Sequence, residues 1–183
     1  GGISRNYNTN FLPGEGRFTV MEADEYDRSF HTLSPLMAVV SAVDADHLDV
    51  YGDHKSMIEA YNVFCGKIKP GGLLIINNKI RKIVRYPAGL TCLTYGNNAD
   101  ADYRNFDVEL TGDCYRFNLK TPEGILEDLR FAYPGKINID NLTAAMAIAL
   151  KCGVTENEIR KSIILFQGVR RRFDIRGNLP GLT

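Results

Sequence analysis

PLMAVVSAVDADHLDVYGDHKSMIEAYNVFCGKIKPGGLLII, residues 35–76, decides the fold. It opens with an apolar, β-branched run (36–43) that ends in an acidic cluster, as a buried parallel strand does when a polar loop leaves its carboxyl end. Residues 53–67 then place Met57, Ile58, Tyr61 and Phe64 at helical spacing, and Pro70-Gly71-Gly72 stops the helix. A second apolar run, 72–76, completes a strand-helix-strand unit.

Upstream, residues 17–23 form another apolar run ending in acidic residues and are expected to be a further parallel strand. Residues 78–86 are expected to be a helix and 90–95 a strand. From 103 to 133 the pattern changes to alternating segments, 106–110, 114–119 and 126–132, split by Thr111-Gly112-Asp113 and Thr121-Pro122-Glu123-Gly124. This predicts an antiparallel meander, a small subsheet on the main one. Helices are expected over 140–151, closed by Gly153, and over 155–166, where Thr155 and Glu158 make a capping box. The fold class is therefore α/β: a mostly parallel sheet flanked by helices, with a small antiparallel subsheet.

Composition narrows the functions. At 183 residues the chain suits one domain with a sizeable core. Its 22 Lys and Arg balance 22 Asp and Glu, so no basic field exists to hold nucleic acid. The longest apolar runs fall far short of the roughly 20 residues that span a bilayer, and no signal peptide is visible, so a cytoplasmic protein is expected. Cys65, Cys92, Cys114 and Cys152 form no C-x-x-C pair, which fits reduced thiols better than disulfides or zinc.

Four stretches carry chemistry. MEADEYD (21–27) sets four carboxylates after an apolar run, where open α/β sheets bind ligands. Such carboxylates suit Mg²⁺, a hard cation that shares oxygen ligands with nucleotide phosphates, or form a merely solvated acidic loop. DADHLDVYG (44–52) holds His47 between Asp46 and Asp49, equipment for a metal ligand or for a hydrogen-bonded loop histidine. PGKINIDNLTAAMAIA (134–149) carries Asn138 and Asn141 at the start of a helix. An asparagine amide reads an adenine edge, but also caps helices. GVRRRFD (168–174) offers three arginines, suited to phosphate oxygens or to a plain basic surface.

In this order, EADExD, DHLDxYG, PGxxNxxNxxAAxA and GxxRRFD resemble the central domain of the Mur ligases, which build the peptidoglycan peptide with ATP, and the resemblance runs over nearly the whole chain. It implies a P-loop-type central domain over residues 1–174 and a hinge at 175–183 toward a C-terminal domain. No G-x-x-x-x-G-K-[ST] occurs in the chain, so the loop that cradles the β- and γ-phosphates is expected upstream of Gly1, and the chain alone is expected not to turn over. The resemblance further implies Glu22 and His47 as Mg²⁺ ligands, Asn141 as the adenine contact with Asn138 supporting its turn, and Arg172 as a phosphate contact. Two departures stand out: Ile137 occupies a position where several relatives place His, and no lysine near Tyr61 or Asn62 matches the carbamylated lysine of other members.

The implied chemistry is activation of a carboxylate by the γ-phosphoryl group of ATP, followed by displacement of the phosphate by an amine. His47 is then a ligand and not a base. Leu48, Tyr51 and Gly52 favour the branch that adds L-alanine to UDP-N-acetylmuramic acid, whereas EADEYD also fits the branch that recycles murein tripeptide. A nucleotide-binding module without chemistry is the alternative from another class. The sequence does not fix an oligomeric state.

Overall fold

A computed structural model describes residues 2–172. Six strands, β1 (Met37–Val40), β2 (Leu73–Asn77), β3 (Thr91–Gly96), β4 (Tyr103–Thr111), β5 (Cys114–Thr121) and β6 (Gly124–Phe131), lie in one sheet in sequence order. Pairing is parallel from β1 to β4 and antiparallel from β4 to β6. The expected antiparallel meander is thus β4–β6, continuous with the parallel part of the sheet.

The short helix α1 (Leu48–Tyr51) and α2 (His54–Gly66) follow β1; α3 (Ile137–Lys151) and α4 (Glu156–Leu165) follow β6. Period-two alternation along β2 distributes its side chains between two cores. Leu74 and Ile76 join Met57, Phe64 and Cys65 of α2, while Leu73 and Ile75 join Ile139, Met146 and Ala147 of α3. All five β2 residues are buried, as a strand covered by helices on both faces must be.

Local chemistry sets the helix ends. Asp53 caps α2 by accepting from the Ser56 amide at 2.7 Å. Thr155 and Glu158 form the expected capping box of α4. No side chain caps α3.

Parallel neighbours ordinarily need a crossover of a dozen or more residues, yet only residues 97–102 join β3 to β4. The pairing is correspondingly confined to Tyr95 with Tyr103 and Gly96 with Arg104. Asp102 holds this return: its Oδ2 accepts from the Thr94 amide at 2.7 Å and from the Thr94 hydroxyl at 2.8 Å.

Two expected elements differ. Residues 78–83 are a run of turns and not a helix. The backbone closes short turns instead, the Ile80 amide donating to the Asn77 carbonyl at 3.0 Å and the Ile83 amide to the Ile80 carbonyl at 2.9 Å, and β-branched Ile80, Ile83 and Val84 weaken helix propensity. Residues 17–23 form no strand, and Val20 is 86% exposed. Apolar character makes a strand only where a ladder supplies hydrogen-bond partners. Phe173, Asp174 and the hinge expected at 175–183 lie outside the described residues.

Candidate nucleotide and metal site

The two acidic stretches meet. Beyond β1, His47 adopts a left-handed backbone (φ 52°) at the head of α1, and its amide donates to Asp46 Oδ1 at 2.8 Å. This turns the imidazole toward the 21–27 loop: Nε2 lies 3.4 Å from Glu25 Oε1, and Nδ1 lies 3.7 Å from Asp46 Oδ1. Tyr26 presents its ring edge-on to the imidazole at 5.1 Å between centroids. Tyr51, at the end of α1, donates its hydroxyl to the Glu25 carbonyl at 2.5 Å, and the Arg28 guanidinium lies 5.0 Å from the centre of the Tyr51 ring. These contacts fasten the MEADEYD loop to the DHLDVYG loop and fix the direction in which Glu25 points.

The four carboxylates of MEADEYD therefore divide by role. Asp24 accepts from the Tyr26 amide at 3.0 Å and Asp27 from the Ser29 amide at 2.8 Å, so both build turns. Hydrogen bonds from the Ser29 side chain and backbone hold the Asp27 carboxyl below its ordinary value. Glu22 is exposed before the turn, and Glu25 is the carboxylate that faces His47. The local negative charge reaches α2: burial pushes the Tyr61 phenol up, and Glu25, Asp44 and Asp46 push the same way.

Among the described residues no group of three His, Cys, Asp or Glu side chains converges to hold a metal. A carboxylate and an imidazole 3.4 Å apart nevertheless fit a hard divalent ion that keeps most of its shell as water and phosphate oxygen. They do not fit a cage made of protein alone.

The second cluster lies at the other edge of the sheet. A cavity of about 800 Å³ opens between α3, α4 and residues 166–172, with Asn138, Asn141, Met146, Tyr133, Phe166 and Arg172 in its lining. Its walls are mainly aliphatic and aromatic, with two amides at the head of α3, the balance common to small-molecule pockets. Asn138 donates through Nδ2 to the Pro134 carbonyl at 2.5 Å, and Asn141 Nδ2 donates to Asn138 Oδ1 at 3.3 Å. The Tyr133 hydroxyl donates to the Arg172 carbonyl at 2.9 Å, and the Tyr133 and Phe166 rings meet edge to face at 5.2 Å.

The structure thus brings Asn138, Asn141 and Arg172 to one cavity, whereas Glu22 lies in the loop before β1 and His47 in the loop after it. Sequence reasoning missed Glu25, which only its place in the acidic cluster could have suggested. It also missed Tyr133 and Phe166, aromatic residues that flank the two motifs they connect. No helix of the described residues is long and apolar enough to cross a membrane.

The Mur ligase middle domain matches residues 6–149. The chain is 38% identical over 177 residues to the UDP-N-acetylmuramate--L-alanine ligase of Phocaeicola vulgatus, covering 96% of this chain and 38% of that protein. It is 39% identical over 175 residues to the ligase of the same name from Parabacteroides distasonis, covering 95% and 38%. The chain therefore spans well under half the length of these curated relatives. Among solved structures, UDP-N-acetylmuramate-alanine ligase from Thermotoga maritima superposes with a TM-score of 0.78 at 21% identity, over 98% of this chain and 40% of that one. MurF from Acinetobacter baumannii gives 0.70 at 24% identity, over 85% and 34%. These likenesses establish the shared fold.

Proposed function

The chain belongs to the Mur ligase family, and on that premise we propose that it is the nucleotide-handling part of a bacterial cytoplasmic ligase that joins L-alanine to UDP-N-acetylmuramic acid at the expense of ATP. The observation that carries this reading is the identity of 38–39% to alanine-adding ligases across nearly the whole chain, with Leu48, Tyr51 and Gly52 in place beside His47.

In this reading the cavity receives adenine. Asn141 meets the base edge with its amide, Asn138 supports that turn, and the aliphatic walls exclude water from the ring faces. Arg172, at the cavity rim, directs its guanidinium to the phosphate oxygens. Glu22 and His47 would hold Mg²⁺, and the facing carboxylate of Glu25 adds a third donor to that end of the site. The ion supplies charge neutralisation to the phosphates. His47 orients and does not exchange protons with substrate. The sugar carboxylate attacks the γ-phosphorus, ADP departs, and the amino group of L-alanine then displaces phosphate from the acyl phosphate to leave an amide.

Phosphate release by the full-length protein tests the reading, with ATP, Mg²⁺, UDP-N-acetylmuramic acid and either L-alanine or murein tripeptide. Turnover with L-alanine on the nucleotide sugar is expected. The EADEYD stretch supports one second reading, recycling of murein tripeptide, and turnover with the tripeptide alone would select it. Absence of turnover with either acceptor would refute both.

A further inference from the structure

Helix α3 carries both asparagines of the cavity in its first turns, yet no side chain caps its N-terminus. Helix ends without caps fray, and a base-reading amide that shifts by an ångström loses its hydrogen-bond geometry. The first amides of α3 meet only the backbone of the preceding turn, Asn138 donating to the Gly135 carbonyl at 2.9 Å and Ile139 to the Lys136 carbonyl at 3.1 Å, and the side-chain anchor of this end lies beneath it. Asn105 of β4 is 3% exposed and donates through Nδ2 to Asp140 Oδ1 at 2.9 Å and to Thr143 Oγ1 at 3.0 Å. Thr143 is fully buried and passes its own proton to the Ile139 carbonyl at 2.7 Å. The other Asp140 oxygen lies 3.8 Å from Lys79 Nζ, in the turns after β2.

We propose that Asn105 is a positioning residue for the base site: through Asp140, it sets the rotation and height of the α3 opening and so aims Asn138 and Asn141 into the cavity. Asp140 stands between the two asparagines in sequence, on the side of the helix turned to the sheet. A rigid link from β4 to Asp140 therefore fixes the neighbours on the solvent side of the same turn. Asn105 does not line the cavity, and its effect passes entirely through the helix. The inference rests on the reading of the cavity as an adenine site.

The test is calorimetric binding of Mg-ATP and of Mg-ITP to the full-length protein. Inosine replaces the donating 6-amino group by an accepting oxygen, so an asparagine that reads both N6 and N7 should favour ATP about tenfold or more. Asn141→Ala is expected to abolish that preference. Asn105→Leu, which keeps the volume and removes the donor, and Asp140→Ala, which removes the acceptor, are each expected to cut it several-fold, with no further loss when combined. Asp140→Asn keeps an oxygen for Asn105 and is expected to stay within about twofold of the wild type.

Thermal stability is read in parallel on every variant. Lowered melting temperatures for Asn105→Leu and Asp140→Ala with an unchanged ATP-to-ITP ratio would overturn the proposal, since a merely structural role moves only the first. If Asn105→Leu does not fold, Asp140→Ala, on a partly solvated position, decides the matter by the same ratio. A preference that survives Asn141→Ala would refute the adenine reading itself. Loss with Asn141→Ala but not with Asn105→Leu or Asp140→Ala would refute the positioning role alone.

Discussion

Replacement of Gly168 by alanine should unseat the aromatic wall of the cavity. Gly168 has φ 91°, a backbone region in which a Cβ costs about 1–2 kcal/mol. The new methyl would overlap Tyr133 Cε2 and come within 2.7 Å of Cζ and 2.9 Å of Oη. Since Gly168 is itself tied down by its carbonyl, which accepts from the Arg5 amide at 2.9 Å, the ring is the part that must move. A displaced ring loses the 2.9 Å bond to the Arg172 carbonyl, about 0.5–1.5 kcal/mol, and its contact with Phe166, of similar worth. The sum is about 2–5 kcal/mol, or roughly 5–15 °C in Tm for a domain of this size. Urea denaturation of Gly168→Ala, Tyr133→Ala and the double variant isolates the ring contribution. In the Tyr133→Ala background, Gly168→Ala should cost only the backbone share, about 1–2 kcal/mol, which implies a coupling of about 1–3 kcal/mol. Equal costs in the two backgrounds would show that the ring is not the obstacle and refute the reasoning.

Two further outcomes follow from the same packing. In Gly72→Ala the methyl would collide with the Leu36 carbonyl and lie 2.8 Å from the Lys69 carbonyl and 2.7 Å from Ile68 Cγ2. Backbone atoms cannot step aside, so a loss of about 3 kcal/mol or more is expected, and a thermal melt within 2 °C of the wild type, on the order of 1 kcal/mol or less, would contradict it. The Glu158 carboxylate is held below its ordinary value by the Thr155 hydroxyl and amide. A depressed folded value means stability that is present above the unfolded value of about 4.3 and lost as pH falls through the folded one. The stability gap between wild type and Glu158→Ala should therefore narrow below about pH 4. A gap unchanged between neutral pH and pH 3, where roughly all free carboxyls are protonated, would argue against the capping role.

Much of the fold was legible because its signals are local. Helix α2 was readable from Met57, Ile58, Tyr61 and Phe64 and the Pro70-Gly71-Gly72 stop, α4 from Thr155 and Glu158, and the meander from alternation broken by Gly112 and Gly124. The two misreadings differ in cause. Residues 17–23 have strand character but no ladder to join, whereas over 78–83 β-branched Ile80 and Ile83 weaken the helix and backbone bonds close short turns instead.

The site divides in the same way. Motif order singled out Glu22, His47, Asn138, Asn141 and Arg172 as candidates, and the structure brings three of them, Asn138, Asn141 and Arg172, to one cavity. Only the tertiary structure decided that Asp24 and Asp27 are spent on turns while Glu25 faces His47, and that Asn105 reaches Asp140 across 35 positions. Periodicity and capping act over a few residues and are written in sequence. Which carboxylate of a cluster points at an imidazole, and which buried amide anchors an uncapped helix, depends on how separate elements pack, and hydrogen-bond geometry between them is settled only when the sheet is assembled.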